Sequence, residues 1–304
     1  MSSFDPIVTR PANFNRRHRL DQLFRGLAVA ATLVALVPLV LIIGFVLLKG
    51  LPALSWNFFT NAYEPPDIAG ALGQGGEVTS TGGVLHGIVG SFLVVGSAML
   101  IALPIGILAA IFLSEYRDNP LALAVRFCTD VLSGAPSIVV GIVAYNLIVR
   151  YMLPSGRPIG FSGWAGSVAL AVLTTPIIVR TTEEMLKLVP LTTREAAMGV
   201  GAPKWRYTFD VVIPTALSGI VTGALLAFAR AAGETAPLLL TILGRNTVSF
   251  NLLEPLAALP LLTYKYTDTP FPAENQMAWG SALVLTALVV SVNALVRWAT
   301  RTQD

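Results

Sequence analysis

The sequence predicts an all-α integral membrane protein with six transmembrane helices. Three observations carry that prediction. The 304 residues are 54% hydrophobic and only 12% charged, against about 25% charged in an ordinary soluble domain. The apolar residues fall into runs of about twenty, the length an α-helix needs to cross hydrocarbon. The 26 glycines and 20 prolines suit membrane helices, which tolerate both better than soluble helices do.

The spans follow in chain order. Residues 1–26 are basic and polar and form an expected mobile arm. Leu27 to Leu48 is uncharged, too long for a signal-peptide core, and lacks a small-residue cleavage site after it, so it is a retained anchor. Residues 49–83, rich in Gly, Pro and Asn, form an extracytoplasmic loop. Val84 to Ser114 is the second span, tilted or kinked because it is long and contains Pro104. Val131 to Val149 is the third and Trp164 to Val179, extended at both ends, the fourth. Val211 to Ala229 begins a fifth helix that runs past Arg230 and Glu234 to about Leu243. Met277 to Val296 is the sixth, and 298–304 a tail. Residues 84–297 then make a core of five helices, with a loop at 187–214. The segment Arg245 to Gln276 carries four prolines and reads as a second outer loop.

Basic residues orient the spans, because cytoplasmic segments collect Lys and Arg. With the N-terminus inside, the inner segments hold Arg10, Arg16, Arg17, Arg19, Arg25, Arg117, Arg126, Arg180, Lys187, Arg194, Lys204, Arg206, Arg297 and Arg301. The outer segments hold only Lys49, Arg150, Arg157, Arg245 and Lys265. Both termini are therefore expected in the cytoplasm of a plasma-membrane protein.

Several function classes are excluded or disfavoured. Net charge is +3, without the concentrated basic patch that nucleic-acid binding needs. One cysteine, Cys128, and two distant histidines, His18 and His86, give no metal-ligand spacing. No G-x-x-x-x-G-K-[ST] phosphate loop is present, nor a G-x-S-x-G elbow or H-E-x-x-H pair. The chain holds no cofactor of its own, and any energy comes from a partner or an ion gradient.

The stretch Thr192 to Pro214, TTREAAMGVGAPKWRYTFDVVIP, is the most informative. Thr192 and Glu195 have capping-box spacing, Ala196 and Ala197 favour helix, and Gly199 and Gly201 can end it in a left-handed turn. Such a short helix either docks into a protein groove or lies on the membrane surface. Arg230 and Glu234 sit inside an apolar stretch, where an ionised group costs roughly 2.5 kcal/mol or more. At i and i+4 they share a helix face. They either neutralise each other or present Arg230, a bidentate donor, to a translocating oxyanion. Arg180 either pairs with Glu183 or Glu184 or guards an exit. Asp130 reads as a partner for a helix N-terminus, and His86 as a satisfied polar residue near the outer interface. The rows Gly219, Gly223, Ala227 and Gly83, Gly87, Ser91 allow close helix approach, within the chain or at a subunit interface.

The run Glu195-Ala196-Ala197, then Gly201, Val211, Ile213 and Pro214, resembles the EAA loop of ABC-importer membrane subunits. Ser133 to Gly141 (SGAPSIVVG), Arg180 to Glu184 (RTTEE) and Ala229 to Pro237 (ARAAGETAP) resemble the A-type permease of bacterial phosphate-specific importers. The resemblance runs from about Gly82 to Val296. It implies a type I ABC importer permease (MetI-like) fold and no ATPase site in this chain. It implies coupling to the ATPase through Thr192, Glu195, Ala196, Ala197, Gly201 and Pro214, and a phosphate pathway past Arg230, Glu234 and Arg180. The implied partners are a C-type phosphate permease subunit, a dimeric ATP-binding cassette ATPase using ATP and Mg, an extracytoplasmic phosphate-binding protein and membrane lipid. Another oxyanion such as molybdate or sulfate, or a gradient-driven secondary transporter, is the alternative.

Overall fold

A computed structural model describes residues 14–65, 82–151 and 158–301, and its long elements are all helices. Arg10 and Arg157 lie outside the described residues. The chain divides into two compact units, one ending at Leu48 and one beginning at Lys49.

The first unit is helix α1, Phe14–Gly50, which runs on two residues into the second. Helix begins well before the apolar run, so half of the expected arm is ordered. Its apolar side chains from Leu27 to Leu48 are largely exposed, as suits a helix solvated by lipid.

In the second unit a short helix α2, Trp56–Thr60, is capped by Ser55, whose Oγ accepts from the Phe58 N–H at 3.2 Å. Helix α3, Leu85–Glu115, carries Pro104 inside one unbroken helix. Asn119 caps α4, Pro120–Gly134, accepting from Leu121 N–H, with Pro120 in the first turn where its missing N–H costs nothing. Helix α5, Ser137–Ala144, follows and continues as a π-helical turn to Val149. Ser162 caps α6, Gly163–Leu188. Two short helices, α7 (Leu191–Gly199) and α8 (Lys204–Tyr207), lead through a π-helical turn to α9, Ile213–Gly233. Then come α10, Ala236–Thr241, α11, Leu259–Thr267, and α12, Pro272–Arg301. Among the described residues five helices are long and apolar enough to cross a membrane, or six if the bent pair α4–α5 counts as one span.

Three expectations need correction. The third span is not one helix from Val131 to Val149: α4 and α5 meet at 104°. Pro136 cannot give an N–H to Leu132 and its ring would collide with that carbonyl, so the helix stops at Gly134. The fifth helix does not run to Leu243. Pro237 makes the same conflict with Gly233, the helix ends there, and Glu234 caps it in extended geometry. The segment Arg245 to Gln276 is not all loop, since it contains α11.

The two interrupted spans meet each other. A Cβ on Gly141 of α5 would lie 2.8 Å from Pro237 Cα, so only glycine lets α10 lie this close to α5. The main core joins α3, α6, α9 and α10 through Val94, Ala98, Ala102, Leu170, Ile178, Ala227, Ala231, Leu238 and Ile242. Small residues keep these helices near. Gly219 faces Met185 and Gly223 faces Thr181, while Gly87 faces Leu262 and Ser91 Oγ accepts from Leu259 N–H at 2.8 Å. Both small-residue rows therefore serve packing within the chain.

A second core joins Phe58, Val84, Leu259, Leu262, Tyr266 and Met277. Tyr63 stacks on Tyr266 with ring centroids 5.5 Å apart and donates to Glu274 Oε1 at 2.6 Å. Burial, then that bond and the carboxylate charge, push the Tyr63 phenol up to about 12, so it stays a donor across the physiological range. His86 is buried, and neither ring nitrogen has a hydrogen-bond partner among the described residues. That overturns its reading as a satisfied polar group.

Gly90 supplies the sharpest packing test, because a Cβ there would run into the backbone carbonyl of Ala257. The G90A change is expected to cost about 1–3 kcal/mol through overpacking. G26A, with nothing within 4 Å, should be neutral or slightly stabilising. Thermal unfolding midpoints of the two purified variants in detergent check both.

Candidate functional site

Arg230 lies in the last turn of α9 and Glu234 just past its end. Their Nε and Oε1 atoms are 3.3 Å apart, with side chains 52% and 16% exposed. The expected i,i+4 pair forms although the helix stops between its members. Arg230 keeps half its surface open and its terminal nitrogens unused by this contact, so it can pair with Glu234 and still meet another anion.

The pairing expected at Arg180 does not occur. Arg180 reaches across to Asp130 of α4, both side chains about half exposed. Glu183 is committed elsewhere: Arg126 Nη2 donates to its Oε1 at 2.7 Å and Lys187 Nζ lies 2.6 Å from the same oxygen. Asp130 is correspondingly not at the start of a span. It stands in the C-terminal half of α4, away from any helix N-terminus that would favour an acid, and Arg180 answers its charge. These residues, with Thr129 and Glu184, line a cavity of about 170 Å³. Three cations and three carboxylates share it, so an entering anion would compete with carboxylates already in place. A cleft of about 620 Å³ between α6, α9 and α12 is mostly apolar and is not lined by Arg180 or Arg230. The charged residues are the better guide to anion chemistry.

The third place is the segment 187–214. Val189 is extended, as the residue before a proline is biased to be, and Pro190 opens α7 without a side-chain cap. Thr192 falls inside the helix, so the expected Thr192–Glu195 capping box is not made. The C-terminus matches expectation at Gly201 alone. Gly201 has φ +83°, its N–H donates to Met198 carbonyl at 2.9 Å, and Ala202 N–H donates to Ala197 carbonyl at 3.2 Å. That is a Schellman motif, and Gly199 is simply its last helical residue.

The two sides of α7 differ. Glu195, Ala196 and Met198 are exposed, with Leu191 and Val200 at its ends and Trp205 beyond. Ala197 packs toward Leu186 and Tyr207. Arg194 is buried, pairs with Glu115 at the end of α3, and donates through Nη2 to Leu186 carbonyl at 2.6 Å. Pro214 stands in the first turn of α9, where proline is compatible with helix. Reading the sequence alone missed Glu115 and Arg126. The available signal was weak: each is one charge at the edge of an apolar run. Among the described residues no group of three or more His, Cys, Asp or Glu could hold a metal ion.

A family model described as "Binding-protein-dependent transport system inner membrane component" matches residues 102–304. The chain is 42% identical over 282 residues to the phosphate transport system permease protein PstA of Yersinia pestis, covering 92% of this chain and 90% of that one. It is 40% identical over 285 residues to the protein of that name from Haemophilus influenzae, covering 93% and 95%. Among solved structures, the MetNI methionine ABC transporter in inward facing conformations superimposes with a TM-score of 0.56 at 21% identity, covering 73% of this chain and 94% of that one. An amino acid ABC transporter gives 0.51 at 16% identity, covering 70% and 90%. These two likenesses bear out the fold.

Gly201 provides a local test. A Cβ there meets nothing within 4 Å, so G201A carries only the strain of a left-handed L-residue, about 1–2 kcal/mol. G201N should recover part of it, because Asn tolerates that region. Protease sensitivity of the 199–203 turn, read on purified protein, is expected to rank G201A above G201N above the parent.

Proposed function

We propose, from the premise that this chain belongs to the family of binding-protein-dependent transport system inner membrane components, that it is one permease subunit of an ATP-driven phosphate importer. The named relatives support phosphate over molybdate or sulfate. The observation that carries the coupling role is the two-sidedness of α7: a buried Arg194 anchors one face while Glu195, Ala196 and Met198 stand free on the other. A short helix held this way offers a preformed surface to a partner and loses little entropy on docking.

In this reading both termini and α7 lie in the cytoplasm. The chain forms half of the pathway beside a C-type permease subunit. Helix α7 is its coupling helix and docks, through the segment from Thr192 to Gly201, into a dimeric ATPase that uses ATP and Mg. An extracytoplasmic phosphate-binding protein delivers the anion. Arg230 meets phosphate with its planar fork, and Glu234 competes for the same guanidinium, so binding is not so tight that the anion is trapped. Arg180, with Asp130 as its exchangeable counter-ion, meets the anion on the cytoplasmic side. No covalent chemistry takes place in this chain.

Two measurements test this. E195K, which reverses a charge on the exposed face, should cut co-purification of the ATPase from native membranes. Undiminished ATPase recovery together with normal uptake would sink the docking role. R230Q removes charge-assisted hydrogen bonds each worth about 1.5–3 kcal/mol. Phosphate uptake by the assembled complex should therefore fall roughly tenfold or more, with R230K between the two because lysine lacks the bidentate fork. Normal uptake in R230Q would remove Arg230 from the pathway.

A further inference from the structure

The anchored face of α7 has a geometry of its own. Arg194 and Glu115 have side chains 9% and 5% exposed, and they pair across 79 positions of sequence. Both carboxylate oxygens of Glu115 are used: one takes Arg194 Nη1, and the other accepts from Tyr207 Oη at 2.8 Å. The main-chain carbonyl of Glu115 accepts from Lys204 Nζ at 2.7 Å, and that ammonium sits 3.9 Å from the centre of the Tyr116 ring. The last residue of α3 thus gathers α7 through Arg194 and α8 through Lys204 and Tyr207. It also reaches the end of α6, because Arg194 donates to Leu186 carbonyl.

Chain connectivity ties α7 to α6 on one side and, through α8, to α9 on the other. Nothing covalent ties it to α3. A buried ion pair whose carboxylate has both oxygens occupied is a stiff connection, because sliding its members apart leaves a buried charge unpaired. We propose that Glu115 is the positioning residue through which α7 moves α3, holding the coupling helix and that span as one rigid body through the transport cycle. The proposal rests on the reading of α7 as the coupling helix and adds the route by which a push on α7 enters the transmembrane core.

The test uses the assembled complex in lipid nanodiscs, with Cys128 replaced by serine and spin labels on L108C of α3, where the side chain is exposed, and L191C of α7. Between nucleotide-free and ATP-bound states the interspin distance should hold within about 2 Å, the scale of small helix shifts. A change of more than about 5 Å, close to one helical turn, overturns the rigid link. E115Q should still co-purify with the ATPase, while phosphate moved per ATP hydrolysed falls roughly tenfold, within the range typical of coupling between sites. Rescue is expected from the E115D change, which keeps the charge. An unchanged transport-to-hydrolysis ratio in E115Q overturns the proposal. Should E115Q fail to assemble, the label distance in the parent complex decides alone. Failure of α7 as coupling helix is read separately, from ATPase recovery with E195K.

Discussion

Hydrocarbon offers no hydrogen bonds, and the rest of this structure follows from that. Each polar group placed at membrane depth needs a partner within the protein. Many hydroxyls in the long helices turn back on their own backbone: Thr174 donates to Leu170 carbonyl, Thr181 to Ile177, Thr222 to Ser218 and Ser281 to Met277. Ser114 and Thr182, like His86, are exceptions, buried without a hydrogen-bond partner among the described residues. Ser167 spends its one proton between Gly163 and Val94 carbonyls and so bridges α6 to α3. Helix ends are treated the same way, with Ser55, Asn119 and Ser162 as caps and Gly201 in a Schellman turn.

The same constraint explains why interruptions are paired. A broken span exposes carbonyls that an intact helix would satisfy, so a break survives only against protein or water. The chain brings its two breaks together, α5 against α10, with Gly141 admitting Pro237. Lipid gives no hydrophobic reason for helices to associate, so close packing has to supply the attraction. Gly87, Gly219 and Gly223 serve that need at other contacts.

Most of the helix plan was legible because length and apolarity alone set it. Gly163–Leu188 and Pro272–Arg301 contain the expected runs and add polar turns at their ends, where hydropathy has nothing to say. The breaks were legible in principle: Pro136 and Pro237 stand in view, but the apolar runs around them argue for continuity and mask the missing N–H. Pairing of charges was not legible. Sequence proximity offered Glu183 and Glu184 to Arg180, whereas tertiary contact gave it Asp130, fifty residues away. Arg194 looked like one more basic residue of an inner loop, because its partner lies on a helix that ends 79 residues earlier. At Thr192 the capping pattern lost to Pro190, which stands at the N-cap two residues earlier.

Exposure then separates two kinds of ion pair that sequence cannot tell apart. Arg230 and Glu234 are an i,i+4 pair with the arginine half open. The pair is a single contact that leaves the terminal guanidinium nitrogens unused, so an arriving oxyanion can form two charge-assisted bonds to the same arginine. Arg194 and Glu115 are nearly enclosed, and breaking a buried pair by removing one partner costs about 3–5 kcal/mol. The first is therefore the pair suited to exchanging partners, and the second the pair suited to staying closed. A transporter needs both properties, one where the anion binds and lets go, the other where force is carried. In this chain they stand at opposite limits of burial, which is the physical ground for assigning exchange to Arg230 and load to Glu115.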